Sequence, residues 1–215
     1  MSQLVLTADT LSSTTAGAFE YDGRVLYTTP QGAQRGVIPG AQYFRLNADY
    51  TPAATSTSAQ GIFGTGSGGA GLGVTLSSNT VYAFESFFIL LKTASSTSHT
   101  ISLSFGGTAT VTNILWETIQ GGINQAVLPV LNDTLAYSIG NSTTATNFSS
   151  STITTANRIQ TAKLFGTVAI TTGGTFVPQY TTSALVGPYN TTAGSYFYIY
   201  PISSGGANTS VGTWA

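Results

Sequence analysis

Residues 81–92 read VYAFESFFILLK, and this stretch decides the fold. Side chains alternate faces along a strand. Tyr82, Phe84, Phe88 and Leu90 then share one face, with Ser86 between them. Val81, Ala83, Phe87, Ile89 and Leu91 share the other, with Glu85 between them. Helical spacing gives no comparable separation. A strand apolar on both faces is expected to be covered on both. In a two-layer sandwich only one face is core, so the other must meet a further layer, a loop or another subunit.

The pattern repeats outward. HTISLSFGG (99–107) alternates Ile101, Leu103 and Phe105 with Ser102 and Ser104, and TATVTNILWET follows as its expected hairpin partner across Gly106–Gly107. KLFGTVAIT (163–171) sets Leu164, Gly166, Val168 and Ile170 against Phe165, Thr167 and Ala169. SYFYIYPI (195–202) puts Tyr196, Tyr198 and Tyr200 on one face and Phe197 and Ile199 on the other. Turn residues separate these runs, and no segment shows helical periodicity. The expected fold is all-β, an antiparallel β-sandwich of jelly-roll type (residues 53–215), preceded by an extended N-terminal arm with a small docking hairpin (residues 1–52). The hairpin is expected at FEY-DG-RVLYT, turning on Asp22–Gly23. A two-stranded ribbon is marginal alone, so the arm should dock on something.

Composition limits the chemistry. Only 6% of the 215 residues are charged, against roughly 25% in an ordinary domain. Ser and Thr supply over a quarter of the chain, and the net charge is −1. A surface wetted by hydroxyls suits a protein held in an assembly. The six basic residues are scattered, so no nucleic-acid partner is expected. There is no cysteine. The longest apolar run, FFILL (87–91), is too short to span a bilayer, so no membrane insertion is expected. MSQLVLTADT lacks the pattern of a signal peptide, so synthesis is expected in the cytoplasm.

Candidate sites are few. Gly64, Gly66 and Gly69 match GxGxxG, but a strand-like run follows where a phosphate cradle needs a helix. His99 is the one histidine, expected exposed or hydrogen-bonded at a strand start. A triad with Asp9, Asp22, Asp49 or Asp133 lacks a nucleophile elbow. Glu85 and Glu117 lie in apolar strands, where a glycosidase pair would need a cleft between them. No enzyme, cofactor or metal is expected. Tyr196, Tyr198 and Tyr200 form either a packing surface or a ligand platform. Trp214, near the end of a flexible tail, is expected to dock on a neighbouring surface.

Four of the thirteen charged side chains, Glu20, Asp22, Arg24 and Arg35, fall in AGAFEYDGRVLYTTPQGAQRG (16–36). This stretch resembles a motif of virion structural proteins of tailed bacteriophages, of marine and cyanobacterial type. Ala16, Gly17, Glu20, Tyr21, Asp22, Gly23, Tyr27 and Thr28 carry the match. TVYAFESFFILLKTASSTSHTISLSFGGTATVT (80–112) and FVPQYTTSALVGPYNTTAGSYFYIYPI (176–202) resemble the same proteins. The resemblance implies a non-enzymatic virion protein, on the head surface or tail, made in the host cytoplasm. A capsid decoration or cement protein comes first; a tail-fibre or receptor-binding module is the alternative. Implied partners are further copies of the chain (a homotrimer), the major capsid protein or another virion protein, and a host surface glycan. Glu20, Tyr21, Asp22, Arg24, Arg35 and Trp214 would then serve assembly, with Tyr196, Tyr198 and Tyr200 as an interface or ligand face.

Overall fold

Antiparallel pairing governs the whole structure, a computed structural model describing residues 4–11, 15–32, 34–52, 56–65, 71–92, 96–123, 136–149, 153, 156–206, 208 and 210–214. A three-stranded sheet comes first: β1 (Ala18–Tyr21), β2 (Leu26–Thr29) and β3 (Gly36–Ile38). The largest sheet has the order β10 (Ala136–Gly140), β9 (Thr110–Ile123), β12 (Arg158–Thr172), β7 (Thr80–Lys92), β15 (Tyr196–Ser204) and β4 (Gln42–Arg45), with β14 (Asn190–Thr191) also on β7. The third sheet has the order β11 (Thr146–Asn147), β8 (Ile101–Gly106), β13 (Gly174–Thr182) and β5 (Gln60–Gly61), with β6 (Val74–Leu76) also on β13.

The two larger sheets pack face to face in a sandwich-like arrangement. Alternation explains which side chains fill the space between them. Tyr82, Phe84, Phe88 and Leu90 from β7 are buried, as are Leu164, Val168 and Ile170 from β12. Ile101, Leu103 and Phe105 of β8 meet them from the opposite sheet. Phe105 lies 5.7 Å from Phe84 and 6.1 Å from Trp116, ring centre to ring centre. The expected alternation of these strands holds. The expected double covering of β7 does not hold in the single chain: Glu85 and Phe87 are exposed on its second face.

The expected hairpin of 99–107 with 108–118 is overturned. β8 pairs with β13 and β11, whereas β9 pairs with β12 and β10. Gly107 takes φ +113°, and the chain crosses here from one sheet to the other. On the way, the Ala109 amide donates to the Thr175 carbonyl at 3.0 Å. Crossing lets Phe105 and Trp116 face each other across the core instead of lining one sheet.

The arm hairpin forms, shifted by one residue. Asp22 N–H donates to the Val25 carbonyl, so Gly23 and Arg24 make the turn. Gly23 has φ +91° at the first turn position, where a two-residue hairpin favours glycine. Asp22 Oδ1 accepts from the Arg24 and Val25 amides at 2.8 and 2.7 Å, an Asx-type turn. β3 completes a sheet in which Val25, Tyr27 and Thr29 are buried. The segment expected as arm also feeds the sandwich: β4 pairs with β15, and Leu46 and Tyr50 join the main core.

Candidate functional site

Register across the largest sheet sets its outer face. One row runs Ile139, Glu117, Phe165, Glu85, Tyr198, Tyr43 from β10 to β4. The next row runs Tyr137, Ile119, Lys163, Phe87, Tyr196, Arg45 in the same strand order. A third holds Leu115, Thr167, Ala83 and Tyr200. These residues point away from the core because their neighbours in sequence point into it. The surface is apolar for a solvent-facing sheet. Tyr137 and Ile139 are 65% and 68% exposed, Tyr43 59% and Leu115 56%.

The three expected tyrosines belong to this face, and β4 adds Tyr43. Tyr43 lies 6.0 Å from Tyr196 and 6.5 Å from Tyr198, and Tyr198 lies 5.4 Å from Tyr200. Tyr196 Oη donates to Glu85 Oε1 at 3.5 Å, a long bond. Loss of hydration and then the Glu85 charge push the Tyr196 hydroxyl pKa up. Glu85 and Glu117 flank Phe165 from either side on an open sheet rather than across a cleft. The signal for Leu115, Tyr137 and Ile139 was present as alternation in TNILWET and AYSIG, but only the sheet order places them on the same face as Phe87 and the tyrosines.

The arm residues serve one another first. Arg35 Nη2 and Glu20 Oε2 pair at 2.7 Å within the small sheet. Tyr27 Oη donates to Asp22 Oδ2 at 3.0 Å. Burial, then the Asp22 bond, push the Tyr27 hydroxyl up to about 12. Arg24 Nε donates to the Ser78 carbonyl at 3.3 Å and so ties the turn to the segment before β7. Tyr21 is half-buried at the hairpin's end. Trp214 is 80% exposed, its Nε1–H donating to the Val211 carbonyl, so it docks on none of the described residues. Phe19, Leu4 and Val5 are exposed on or before the arm sheet. Gly66 and Gly69 of the GxGxxG match, and Asp133, lie outside the described residues.

A second cluster is buried at one end of the sandwich. His99 is 1% exposed and bridged: Nδ1 lies 2.7 Å from the Thr97 carbonyl and Nε2 lies 2.7 Å from Tyr189 Oη. A carbonyl only accepts, so Nδ1 carries the proton and Nε2 accepts from the tyrosine. The hydrogen-bonded alternative for His99 is therefore the one found, and the ring is buried. Lys92, 6.0 Å from the Tyr189 ring centre, and Arg158 are buried nearby. Burial first, then these two cations, hold the His99 pKa below 6.5 despite the Thr97 bond. Unfolded, the ring protonates near 6.5; folded, it resists. Its stabilising contribution is therefore complete above pH 6.5 and is lost as pH falls through the folded pKa. From pH 6.5 down to the folded pKa, this one ring contributes a slope of at most about 1.4 kcal/mol per pH unit. Denaturant unfolding on either side of pH 6.5 should show it, and His99→Gln should flatten it; equal slopes would remove His99 as the cause.

No protein-family model, curated protein or solved structure matches the chain.

Proposed function

We propose that this chain is a non-enzymatic structural protein of a bacteriophage virion, a decoration or cement protein carried on the capsid surface. The observation that carries the reading is the uncovered apolar face of the largest sheet on a chain with 6% charged residues. Surfaces of this kind mark protein contacts. The three blocks of phage resemblance supply the virion context, and with it further copies of the chain and the major capsid protein as partners.

Strand order supports the finer jelly-roll reading. β4, β15, β7 and β12 lie side by side in one sheet, and β5, β13, β8 and β11 in the other. Taken in chain order, these eight strands alternate between sheets except at β8 and β11, which pair within one sheet, in the manner of two interlocked Greek keys. β9 and β10 are an insertion between β8 and β11 that widens one sheet. Jelly rolls serve in capsids and also in lectins, so this is support by analogy.

The docking arm is the part read as gripping the capsid, through exposed Phe19. Purified chain added to particles lacking it should bind in many copies per particle, counted by gel densitometry. Phe19→Asp should weaken that binding by at least about tenfold, the loss expected from one buried aromatic contact. Undiminished binding would end the arm's role. The tyrosine cluster favours a second reading, a tail-fibre or receptor-binding module contacting a host surface glycan. Few copies per particle and adhesion of the pure chain to host cells would select it.

A further inference from the structure

We propose that the outer face of the seven-stranded sheet is a self-association surface, covered by the same face of a second copy about a two-fold axis. The inference rests on the assembly role proposed above and names the partner and the geometry, a two-fold pair in place of the homotrimer that the resemblance implies.

Size comes first. β7, β9 and β12 have 13, 14 and 15 residues, and six strands lie side by side. At about 3.3 Å per residue and about 4.8 Å between strands, the face covers roughly 1,000 Å². A stable pair needs roughly 800 Å² from each partner. A sugar platform would use the tyrosine corner and leave Leu115, Tyr137 and Ile139 unexplained on the far strands.

Charge identifies the occupant. The row through Phe165 carries two acids, Glu117 and Glu85; the neighbouring row carries two bases, Lys163 and Arg45. The face is thus neutral in sum but segregated by row. Consider a two-fold axis running across the strands, midway between these rows. It exchanges the rows between the copies. Lys163 of one copy then falls over Phe165 of the other, with Glu117 on one side and Glu85 on the other. Arg45 falls over the ring of Tyr43, where a guanidinium is attracted to the aromatic face. Each contact occurs twice by symmetry. The side chains of Glu117 and Lys163 make no hydrogen bond or ion pair with the described residues. The sheet's twist concentrates contact on its central strands, β9, β12 and β7, which carry Glu117, Lys163 and Glu85.

Sedimentation of the full chain tests this. The wild type should run as two copies of the 22.1 kDa chain at micromolar concentration. Lys163→Glu sets three acids against three, and the double variant Glu85→Lys with Glu117→Lys sets bases against bases. Each alone should pair at least about a hundredfold more weakly, from like charges repeated at two symmetric places. Mixed in equal amounts, the two variants should regain a dimer containing one of each. Leu115→Arg, also on the exposed face, should weaken pairing independently, and circular dichroism checks that every variant is folded. A wild-type monomer or trimer, or a wild-type dimer whose mass the variants leave unchanged, overturns the proposal; so does a mixture that stays monomeric. A monomer whose tyrosines bind a neutral oligosaccharide overturns it in favour of the ligand reading. The assay needs no particle. Lost particle binding with intact pairing defeats only the docking role, and lost pairing with intact particle binding defeats only this inference.

Discussion

Trp116→Ala is expected to lower the unfolding free energy by about 3–5 kcal/mol, the range for deleting a large buried aromatic. The ring is 1% exposed and closes the core from β9. It meets Phe105 edge-on across the sandwich, and its Nε1–H donates to the Ser142 carbonyl at 3.2 Å. Its cross-strand partner is Gly140 of β10. A β-carbon at Gly140 would collide with the indole Cε2 and Cζ2, so the glycine is there because the tryptophan lies over it. This coupling gives the prediction a second arm. Gly140→Ala should destabilise the wild type, yet be tolerated once Trp116 is alanine. A double-mutant cycle read by guanidinium unfolding measures the difference, expected at about 1–3 kcal/mol for residues in direct contact. Additive costs would mean that the ring does not lie over Gly140, and an unchanged midpoint for Trp116→Ala would mean that it is not core.

What sequence revealed and what it hid divide along the range of the interaction. Alternation made the inner face of 81–92 legible, because each residue's face depends only on its neighbours. The same rule placed Tyr196, Tyr198 and Tyr200 together. It could not bring Tyr43 to them, since β4 reaches β15 from the far end of the chain. Gly106–Gly107 announced a reversal but not its direction; a hairpin and a crossing between sheets both begin with a glycine turn. The charge cluster at 16–36 was visible, yet its internal use was not. Glu20 finds Arg35 only once β3 folds back onto β2, and that step depends on sheet pairing rather than local pattern. The surplus of apolar residues on the second face of β7 was legible too. Alternation left open whether a further layer, a loop or another subunit covers it, and within the single chain Glu85 and Phe87 stay exposed.

Tyr180→Phe removes one oxygen atom and is expected to cost about 2–4 kcal/mol. The Tyr180 hydroxyl is buried and used in both directions. It accepts from the Tyr189 amide at 2.9 Å and donates to the Tyr189 carbonyl at 3.2 Å. Tyr189 is itself fully buried, so phenylalanine would strand a backbone donor and a backbone acceptor away from water. Each stranded group costs about 1–3 kcal/mol, whereas the bond it replaces contributes less than its loss removes. Burial pushes the Tyr180 hydroxyl well above the usual tyrosine range, so both bonds persist through neutral and mildly alkaline pH. The effect should spread along the chain. Tyr189 holds His99 through its own hydroxyl and leads directly into Asn190–Thr191, the short strand that pairs with Leu91 and Leu90 of β7. Hydrogen exchange at 189–192 should therefore accelerate more than at β9 or β12, alongside the drop in denaturant midpoint. A variant within about 0.5 kcal/mol of wild type, with unchanged exchange there, would show that the hydroxyl is not what fixes this loop to the sheet.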